Sequence, residues 1–474
     1  MKKTKLDGLK GVLRTLSAAI ELLMLAFVYY YIWRNGYEPG VFPAYLGNGK
    51  YILAGVYMAL AAVLIVNFEG FRFGYLRMID IIVSQIIALF IANFITYWQL
   101  CLIANKVISV VPMLCLMAVE VAIVFVCAVT YNALYHHIYM PKNMVMIFGS
   151  QNAVGLKFKM DTRTDKYKIT KLLPADLGYD AICKEIVRYD AVILNDIQAE
   201  LRNELVKFCY QNSLRLYVAP KLTDIVLRGA ANICLFDTPL LLVRSKGLNS
   251  FQRFMKRLLD IVLCLIAMVV ALPIMAVVAI AIKCEDGGPV FYRQDRVTLN
   301  GKVFSILKFR SMIVNAEKNG ISQPATDRDP RITKVGRVIR ATRIDELPQI
   351  LNILKGDMSI VGPRPERVEH VEKYTAEIPE FAYRLKVKGG LTGYAQIYGK
   401  YNTTAYDKLR LDLMYVENYS FLLDIKLILM TIRIMLSKES TEGFDEAALD
   451  EKIREEMLKS GLSVEGDREE AGSR

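Results

Sequence analysis

The sequence predicts a membrane α plus α/β protein. The expected parts are a four-helix transmembrane bundle, a Rossmann-like α/β domain, a re-entrant membrane helix and a last α/β domain. Three observations carry this. Four apolar segments, at about 14–33, 51–67, 79–100 and 107–130, approach the roughly 20 residues a helix needs to span a bilayer. Between 143 and 245 short apolar runs alternate with helical patterns, the mark of a parallel sheet. A further apolar run, 258–282, is interrupted by Pro273 and carries cations at both ends, Lys256 and Arg257 before it and Lys283 after it. The expected divisions are 1–140, 141–246, 247–284, 285–440 and 441–474.

Composition agrees. A chain of 474 residues exceeds one ordinary domain, and 54% hydrophobic residues with a mean hydropathy of +0.29 place it among membrane proteins with soluble parts. The net charge of +12 suits positive-inside loops, anionic lipid and anionic substrates. Nucleic acid is excluded as a partner, because the basic residues are dispersed and no nucleic-acid motif occurs. Eight cysteines show no C-x-x-C spacing, and Cys115, Cys127 and Cys264 fall in apolar segments, so inert thiols are expected. His136, His137 and His370 make no zinc pattern and argue against histidine-based hydrolysis. The first apolar segment lacks a small-residue cleavage site, so no cleavable signal is expected.

The basic start (Lys2, Lys3, Lys5, Lys10), Arg72 and Arg77 between the second and third spans, and Lys142 after the fourth put both ends of the bundle in the cytoplasm. Glu21 and Glu120 lie within spans. Glu21 is near enough to an end to reach water, and Glu120 is expected to pair inside the bundle. In the middle domain, strands are expected at 144–148, 191–194, 215–218 and 240–243, with a helix at 198–210. Gly149-Ser-Gln-Asn-Ala-Val-Gly155 stands where a dinucleotide fingerprint would, but lacks G-x-G-x-x-G and reads as a tight strand–helix turn. Pro273 removes a hydrogen bond and kinks its helix. With cations at both flanks, 258–282 is expected to enter and leave the bilayer on one face as helix–break–helix. Residues 313–332, polar and containing Asp327 and Asp329, read as a loop over a site. A solvated helix is expected at 447–459 and disorder beyond it.

The chemistry is concentrated in Arg340-Ala-Thr-Arg-Ile-Asp345-Glu346-Leu-Pro-Gln349 and, after Asn352, Gly356-Asp-Met-Ser-Ile-Val-Gly-Pro-Arg364-Pro365. The run 347–354 is apolar at helical spacing, and Pro348 is tolerated only in a first turn. Asp345 and Glu346 therefore fall at or just before a helix N-terminus, where anions are favoured. Adjacent helical residues point about 100° apart, so one carboxylate can face a reacting phosphorus while the other turns toward a metal. Alone, such a pair also occurs as decoration of a helix start. Here Lys308-Phe-Arg310-Ser-Met312 and the stiff Gly362-Pro-Arg-Pro365 loop add cations suited to phosphate.

Lys256-Arg257 with Asp260, Gly288-Pro-Val-Phe-Tyr-Arg-Gln294, Lys308-Phe-Arg-Ser-Met312, Asp345-Glu-Leu-Pro-Gln349, Gly356-Asp-Met-Ser359, Gly362-Pro-Arg-Pro365 and Leu391-Thr-Gly-Tyr-Ala-Gln396 occur in this order. The chain thereby resembles the bacterial sugar transferase superfamily, the polyprenyl-phosphate hexose-1-phosphate transferases, over about 250–437. Its layout resembles the large members that begin exopolysaccharide, capsule or O-antigen assembly. It departs from them at Leu272, where a serine often precedes the proline, and at Gly389-Gly390, where Pro-Gly is usual.

The resemblance implies transfer of a sugar-1-phosphate from a UDP-sugar to undecaprenyl phosphate, with release of UMP. It also implies a covalent aspartyl-phosphosugar on Asp345, although the residues alone allow direct transfer as well. Glu346 and Arg340 join Asp345 as catalytic candidates, and Asp345 and Glu346 would hold Mg²⁺. Phosphate or substrate contacts fall to Lys308, Arg310, Arg364, Arg293, Asp412 and Asp424, the last two by orienting basic groups or the metal. Lys256, Arg257 and Pro273 would form the anchor among membrane lipids of the bacterial inner membrane, with the active site cytoplasmic. A homo-oligomer is left open. Two other readings stand beside this one. A membrane-tethered Rossmann enzyme that modifies nucleotide sugars lacks its glycine fingerprint and a Tyr-x-x-x-Lys pair in 143–245. A non-catalytic scaffold leaves the acidic pair and Gly-Pro-Arg-Pro without a role.

Overall fold

Four long helices lead the chain, as the apolar segments require: α1 (Lys2–Gly36), α2 (Gly49–Asn67), α3 (Met78–Ala104) and α4 (Val111–Ile138). The computed structural model describes residues 2–436 except 38–48, 139–140, 150–152, 162, 164–165, 244–246, 315, 317–328 and 400–402. The tail with its expected helix at 447–459, and most of the 313–332 loop including Asp327, lie outside the described residues. Among those described, five helices are long and apolar enough to cross a membrane, these four and a fifth at 250–286. The molecule is a membrane protein.

α1 packs on α2 and α4, and α3 packs on the same two. Tyr29 stacks on Tyr57 with ring centroids 4.2 Å apart, beside Trp33 and Leu100. Glu120 accepts hydrogen bonds from the Tyr57 hydroxyl and from Asn93 Nδ2 (2.6 Å), so its carboxylate is satisfied by neighbouring helices, as expected. Glu21 differs from expectation: packing leaves it 1% exposed rather than reaching water.

The α/β region runs β1 (Lys142–Phe148), α5 (Ala153–Asp161), β2 (Tyr167–Pro174), α6 (Tyr179–Ile186), β3 (Ala191–Asn195), α7 (Ala199–Gln211), β4 (Arg215–Val218). Its sheet is parallel throughout, in the order β2-β1-β3-β4. Both faces are covered, which is why β1 and β3 read as continuous apolar runs. Val145, Ile147, Val192 and Leu194 pack with Ile182, Ile186 and Leu205; Met144, Met146 and Ile193 pack with Leu156 and Met160. The turn after β1 is tight, since a Cβ on Gly149 would lie 2.2 Å from the Asp196 carbonyl oxygen. The rest of that turn lies outside the described residues.

A second compact unit begins at Pro220. Residues 220–243, read from sequence with the parallel sheet, fold with this unit. In α8 (Leu222–Arg228), Ile225 packs on Phe381, Leu409 and Leu413. The strand expected at 240–243 is β6 (Thr238–Leu242), antiparallel to β5 (Ala231–Leu235). Only Phe236 and Asp237 connect them, and so short a link joins antiparallel strands only. There follow α9 (Ser250–Asp286), β7 (Phe291–Val297), β8 (Val303–Phe309), α10 (Lys334–Ala341), α11 (Gln349–Lys355), β9 (Ser359–Val361), α12 (Val368–Glu377), β10 (Gly390–Thr392), α13 (Tyr394–Tyr398), α14 (Ala405–Glu417) and α15 (Phe421–Leu436).

α9 is the fifth apolar helix. Asn249 and Gln252 cap it reciprocally, and Gly287 ends it in the left-handed conformation that glycine tolerates (φ 71°). It is one helix of 37 residues with Pro273 inside, about 55 Å long, rather than two halves separated by a break. One face is buried along its whole length: Lys256, Asp260, Cys264, Ala271, Val278 and Ile282. Cys264 and Ala271 pack with Phe304, Ile306, Ile350 and Ile353, while Val278 and Ile282 pack with Phe309 and Ile339. The opposite face exposes apolar side chains, among them Leu265, Val269, Leu272, Val277 and Ile280.

Polar bonds fix both ends of α9 to the same unit. Lys256 Nζ pairs with Asp424 Oδ2 (2.7 Å) and donates to the Tyr415 hydroxyl (2.8 Å). Arg257 donates to the carbonyls of Ile353 and Leu354, the free carbonyl end of α11 (2.5 Å each). At the far end Glu285 accepts from the Lys334 and Val335 amides at the start of α10, and Asp286 pairs with Arg310. The expectation that Lys256 and Arg257 anchor the helix to lipid is thus corrected: their charges are spent on protein partners, because a buried charge needs a counter-group. Lys256→Met should lower stability by about 3–5 kcal/mol by leaving Asp424 buried and uncompensated. Combining it with Asp424→Leu should recover most of the loss. Thermal unfolding in detergent micelles reads both, and equal losses in the two proteins would contradict the account.

Candidate active site

The acidic pair lies on a turn between two helices. Thr333 caps α10 through its Oγ1, which accepts from the Gly336 amide (2.9 Å). The helix ends at Thr342. Arg343 then takes a left-handed conformation (φ 59°), which costs a non-glycine residue about 1 kcal/mol. A 3₁₀ turn, Ile344–Glu346, leads through Leu347 and Pro348 into α11. The sequence placement of Asp345 and Glu346 just before a helix N-terminus is therefore observed. The sharp redirection at Arg343 sends the two carboxylates to different neighbours.

Glu346 Oε1 accepts from Lys308 Nζ on β8 and from Arg364 Nη2, each at 2.9 Å. Burial pushes its pKa up, but the Arg364 and Lys308 charges outweigh burial and hold it well below the usual carboxylate range. Asp345 instead lines a cavity of about 430 Å³. Burial raises its pKa; Lys308 opposes the rise and the neighbouring Glu346 charge adds to it. Two adjacent carboxylates are thus pushed apart in acidity, the usual sign of separate chemical roles. Lys308 itself is lowered by burial, against the pull of Glu346.

The same cavity is lined by Tyr292, Arg296, Arg310 and Arg340. Among the described residues, Arg296 Nε and Arg310 Nε and Nη1 are buried without a hydrogen-bond partner. Burial, then repulsion from Arg364, lowers Arg296 to about 10. The apolar side chains Phe291, Phe309, Ile313 and Val314 line the cavity as well.

The Arg364 loop is held from behind. β9 and β10 pair in parallel, and a Cβ on Gly362 would lie 2.4 Å from the Lys388 carbonyl oxygen, so only glycine allows this approach. Arg384 donates to the Arg364 carbonyl (2.9 Å) and Arg296 to the Pro365 carbonyl (3.1 Å). Asn352 clamps α11 to β8, accepting from the Leu307 amide (2.9 Å) and donating to the Ser305 carbonyl (3.0 Å).

Asp345, Arg340, Lys308 and Arg310 therefore converge on one cavity, and Glu346 and Arg364 support it. Three expected residues do not line the cavity, though Asp412 and Asp424 each orient a basic group, as expected. Arg293 is exposed: in the β7–β8 ladder Tyr292 faces Lys308 and Arg293 faces Leu307, so alternation sends Arg293 to the opposite side from Lys308. Asp424 is buried against Lys256 and Tyr415. Asp412 is buried against Arg384 (2.7 Å), and orients a basic group that in turn holds the Arg364 backbone. Arg296 is the residue to choose in place of Arg293, and period-two alternation from Lys308 is the signal that finds it.

Among the described residues no cluster of three or more His, Cys, Asp or Glu side chains forms a ready metal cage. Two adjacent carboxylates fit Mg²⁺, which takes few protein carboxylates and completes its shell with water and substrate phosphate.

Residues 251–438 match the model of a family described as bacterial sugar transferase. The chain is 39% identical over 258 residues to a UDP-N-acetylgalactosamine-undecaprenyl-phosphate N-acetylgalactosaminephosphotransferase of Aeromonas hydrophila, covering 53% of this chain and 60% of that protein. It is 41% identical over 211 residues to a UDP-glucose:undecaprenyl-phosphate glucose-1-phosphate transferase of Escherichia coli (strain K12), covering 44% of each. It is 40% identical over 190 residues to a Caulobacter vibrioides protein of the same description, covering 39% of this chain and 71% of the relative.

The chain belongs to the bacterial sugar transferase family.

The match spans about half the length of the Aeromonas and Escherichia relatives. The stretch of this sugar transferase that matches contains α9, the acidic turn and the Arg364 loop. Substituting Glu346→Gln should lower the Asp345 pKa. It removes a like charge and releases Lys308 and Arg364, and both changes favour the ionised form. Isotope-edited infrared titration of the aspartate carboxyl reads the shift; an unchanged or raised pKa would contradict the assignment.

Proposed function

We propose that this sugar transferase moves a sugar-1-phosphate from a UDP-sugar to undecaprenyl phosphate and releases UMP, the first membrane step in building a polysaccharide such as a capsule or exopolysaccharide. The observation that carries the reading is Asp345 lining one cavity with Lys308, Arg296, Arg310 and Arg340 while Glu346 is held between Lys308 and Arg364. The relatives' descriptions supply the donor and acceptor classes.

In the proposed reaction an Asp345 carboxylate oxygen attacks the sugar-linked phosphorus. The bond from that phosphorus to the bridging oxygen breaks, and UMP leaves with the electron pair. A phosphate oxygen of the lipid then attacks the same phosphorus and breaks the aspartyl bond, giving a lipid diphosphate sugar and free Asp345. Arg296, Arg310 and Arg340 hold the phosphate oxygens, and Glu346 keeps Lys308 and Arg364 in place beside them. Asp345 and Glu346 would hold Mg²⁺ together with substrate oxygens; when bound, the ion neutralises charge on the phosphates.

On this reading α1–α4 form a four-helix transmembrane bundle in the bacterial inner membrane, and α9 lies in the cytoplasmic leaflet without crossing it. The support is its single buried stripe: a helix packed at both ends and along its length on one globular unit has only its other, apolar face left for lipid.

With a panel of UDP-sugars, Mg²⁺ and undecaprenyl phosphate, UMP release should depend on lipid and fall by at least about a thousandfold in Asp345→Asn. A stoichiometric burst of UMP without lipid is expected for the covalent path. Because Asp345 is raised, activity should decline with falling pH through a value above that of an ordinary aspartate, well before Glu346 titrates. A fully active Asp345→Asn protein would overturn the proposal.

A further inference from the structure

The last turn of α9 is acidic where helices disfavour acid. Glu285 and Asp286 stand at its carbonyl end, the negative end of the helix dipole. Each is stabilised by partners outside the helix. Glu285 has the Lys334 and Val335 amides at the start of α10. Asp286 has Arg310: its Oδ1 accepts from Arg310 Nη2, and also from the Gly288 amide (3.2 Å). One carboxylate oxygen thus ties the guanidinium to the turn that ends the helix. The turn is shaped around that guanidinium. Gly287 takes the left-handed conformation, and Lys283 Nζ donates to the carbonyls of Gly287 and Gly288 (2.8 and 3.2 Å). A Cβ on Gly288 would meet Arg310 Nη1 first, with Arg310 Cζ 2.8 Å away. Glycine at 288 is what lets the backbone lie against the guanidinium.

Arg310 is therefore held by charge at Nη2 and by contact at Nη1 and Cζ, which fixes the plane of a rigid, forked cation. Its side chain is 8% exposed and that of Asp286 29%, so the carboxylate grips it from the outer side. Arg310 lines the cavity with Lys308, Arg340 and Asp345, and neither Asp286 nor Gly288 is part of that lining. Asp286 stands to Arg310 as Glu346 stands to Lys308, a carboxylate that holds a cavity cation in place. We propose that Asp286 and Gly288 are positioning residues for phosphate binding: they fix the Arg310 guanidinium to receive a diphosphate in the cavity it lines. Asp286 engages one guanidinium nitrogen and leaves the other donors of the fork unspent on it. The inference rests on the reading of this cavity as the sugar-phosphate site. It extends that site to the turn at the end of α9, which touches no substrate itself.

The test uses the full chain in detergent with Mg²⁺, titrated calorimetrically with UDP, a diphosphate whose binding needs no transfer step. Arg310→Met, Asp286→Asn and Gly288→Ala should each weaken UDP binding about tenfold. Adding Asp286→Asn or Gly288→Ala to Arg310→Met should weaken it little further, because no guanidinium is left to position. Glu285→Gln loosens the start of α10 in the same turn without touching Arg310; it should lower the thermal transition and leave UDP binding unchanged. Losses that add in the double variants would reduce Asp286 and Gly288 to structural parts of the turn and overturn the proposal. So would a Glu285→Gln protein that loses UDP as strongly as Asp286→Asn, or a wild type that binds no UDP. UMP release from UDP-sugars is measured in parallel. No release from the wild type, with the coupling of Asp286 to Arg310 intact in UDP binding, would overturn the transfer reaction and leave the positioning role standing.

Discussion

Glu346 is the constraint on which the site depends. Its carboxylate joins three segments that are far apart in the chain: Lys308 at the end of β8, the acidic turn itself, and Arg364 between β9 and α12. Each of these cations would be costly to bury alone. One carboxylate is shared between two cations, and Arg296, Arg310 and Arg340 line the cavity in front of Asp345. Such a lining suits an anion. The same arrangement explains why Asp345 is not neutralised as Glu346 is. Its neighbour has taken the close hydrogen-bonding cations, and burial is left to raise it.

α9 sets where this chemistry takes place. Its buried stripe carries polar residues near the start and apolar ones beyond, so the helix is bolted at Lys256, Arg257 and Asp260 and greased from Cys264 to Ile282. At its far end Asp286 meets Arg310, which lines the cavity. A shift of α9 therefore reaches the site through this ion pair and through Phe309, which packs on Val278 and Ile282 and lines the cavity. Pro273 is exposed, off the buried stripe, and the buried residues Ala271 and Val278 pack the helix on either side of it.

Much of this was legible because it is local. Pro348 in a first turn placed the acidic pair, and four apolar segments located α1–α4, although α1 begins well before its apolar segment and α4 runs past its own. What escaped depends on partners distant in sequence. Lys256 and Arg257 read as lipid-facing because nothing near them in the chain reveals Asp424 or the end of α11. Asp412 and Asp424 were expected to orient basic groups and do so, but an aspartate on an apolar helix announces burial without naming its partner, here Arg384 and Lys256. Arg293 was chosen over Arg296 although alternation from Lys308 decides between them, once the β7–β8 register is known. β2 was missed because its lysines interrupt the apolar pattern, and 220–243 was assigned to the parallel sheet because a strand pattern does not state which sheet it joins.

The cavity's mixed lining bears on how one site can serve a water-soluble donor and a lipid acceptor. Arginines and the apolar side chains Phe291, Phe309, Ile313 and Val314 line the same space. Both kinds lie next to the end of α9: a Cβ on Gly288, just past the helix, would meet Arg310 Nη1 first and lie 2.9 Å from Val314 Cγ2. On the proposed reaction, the arginines take the phosphates of donor and acceptor, and the apolar side chains beside them suit the first carbons of the lipid chain. A carboxylate placed there needs a high enough charge density to attack phosphorus, yet must not be pinned by the cations that bind the substrates. Assigning the pinned role to Glu346, one residue away and turned aside by the backbone at Arg343, satisfies both demands with two adjacent residues.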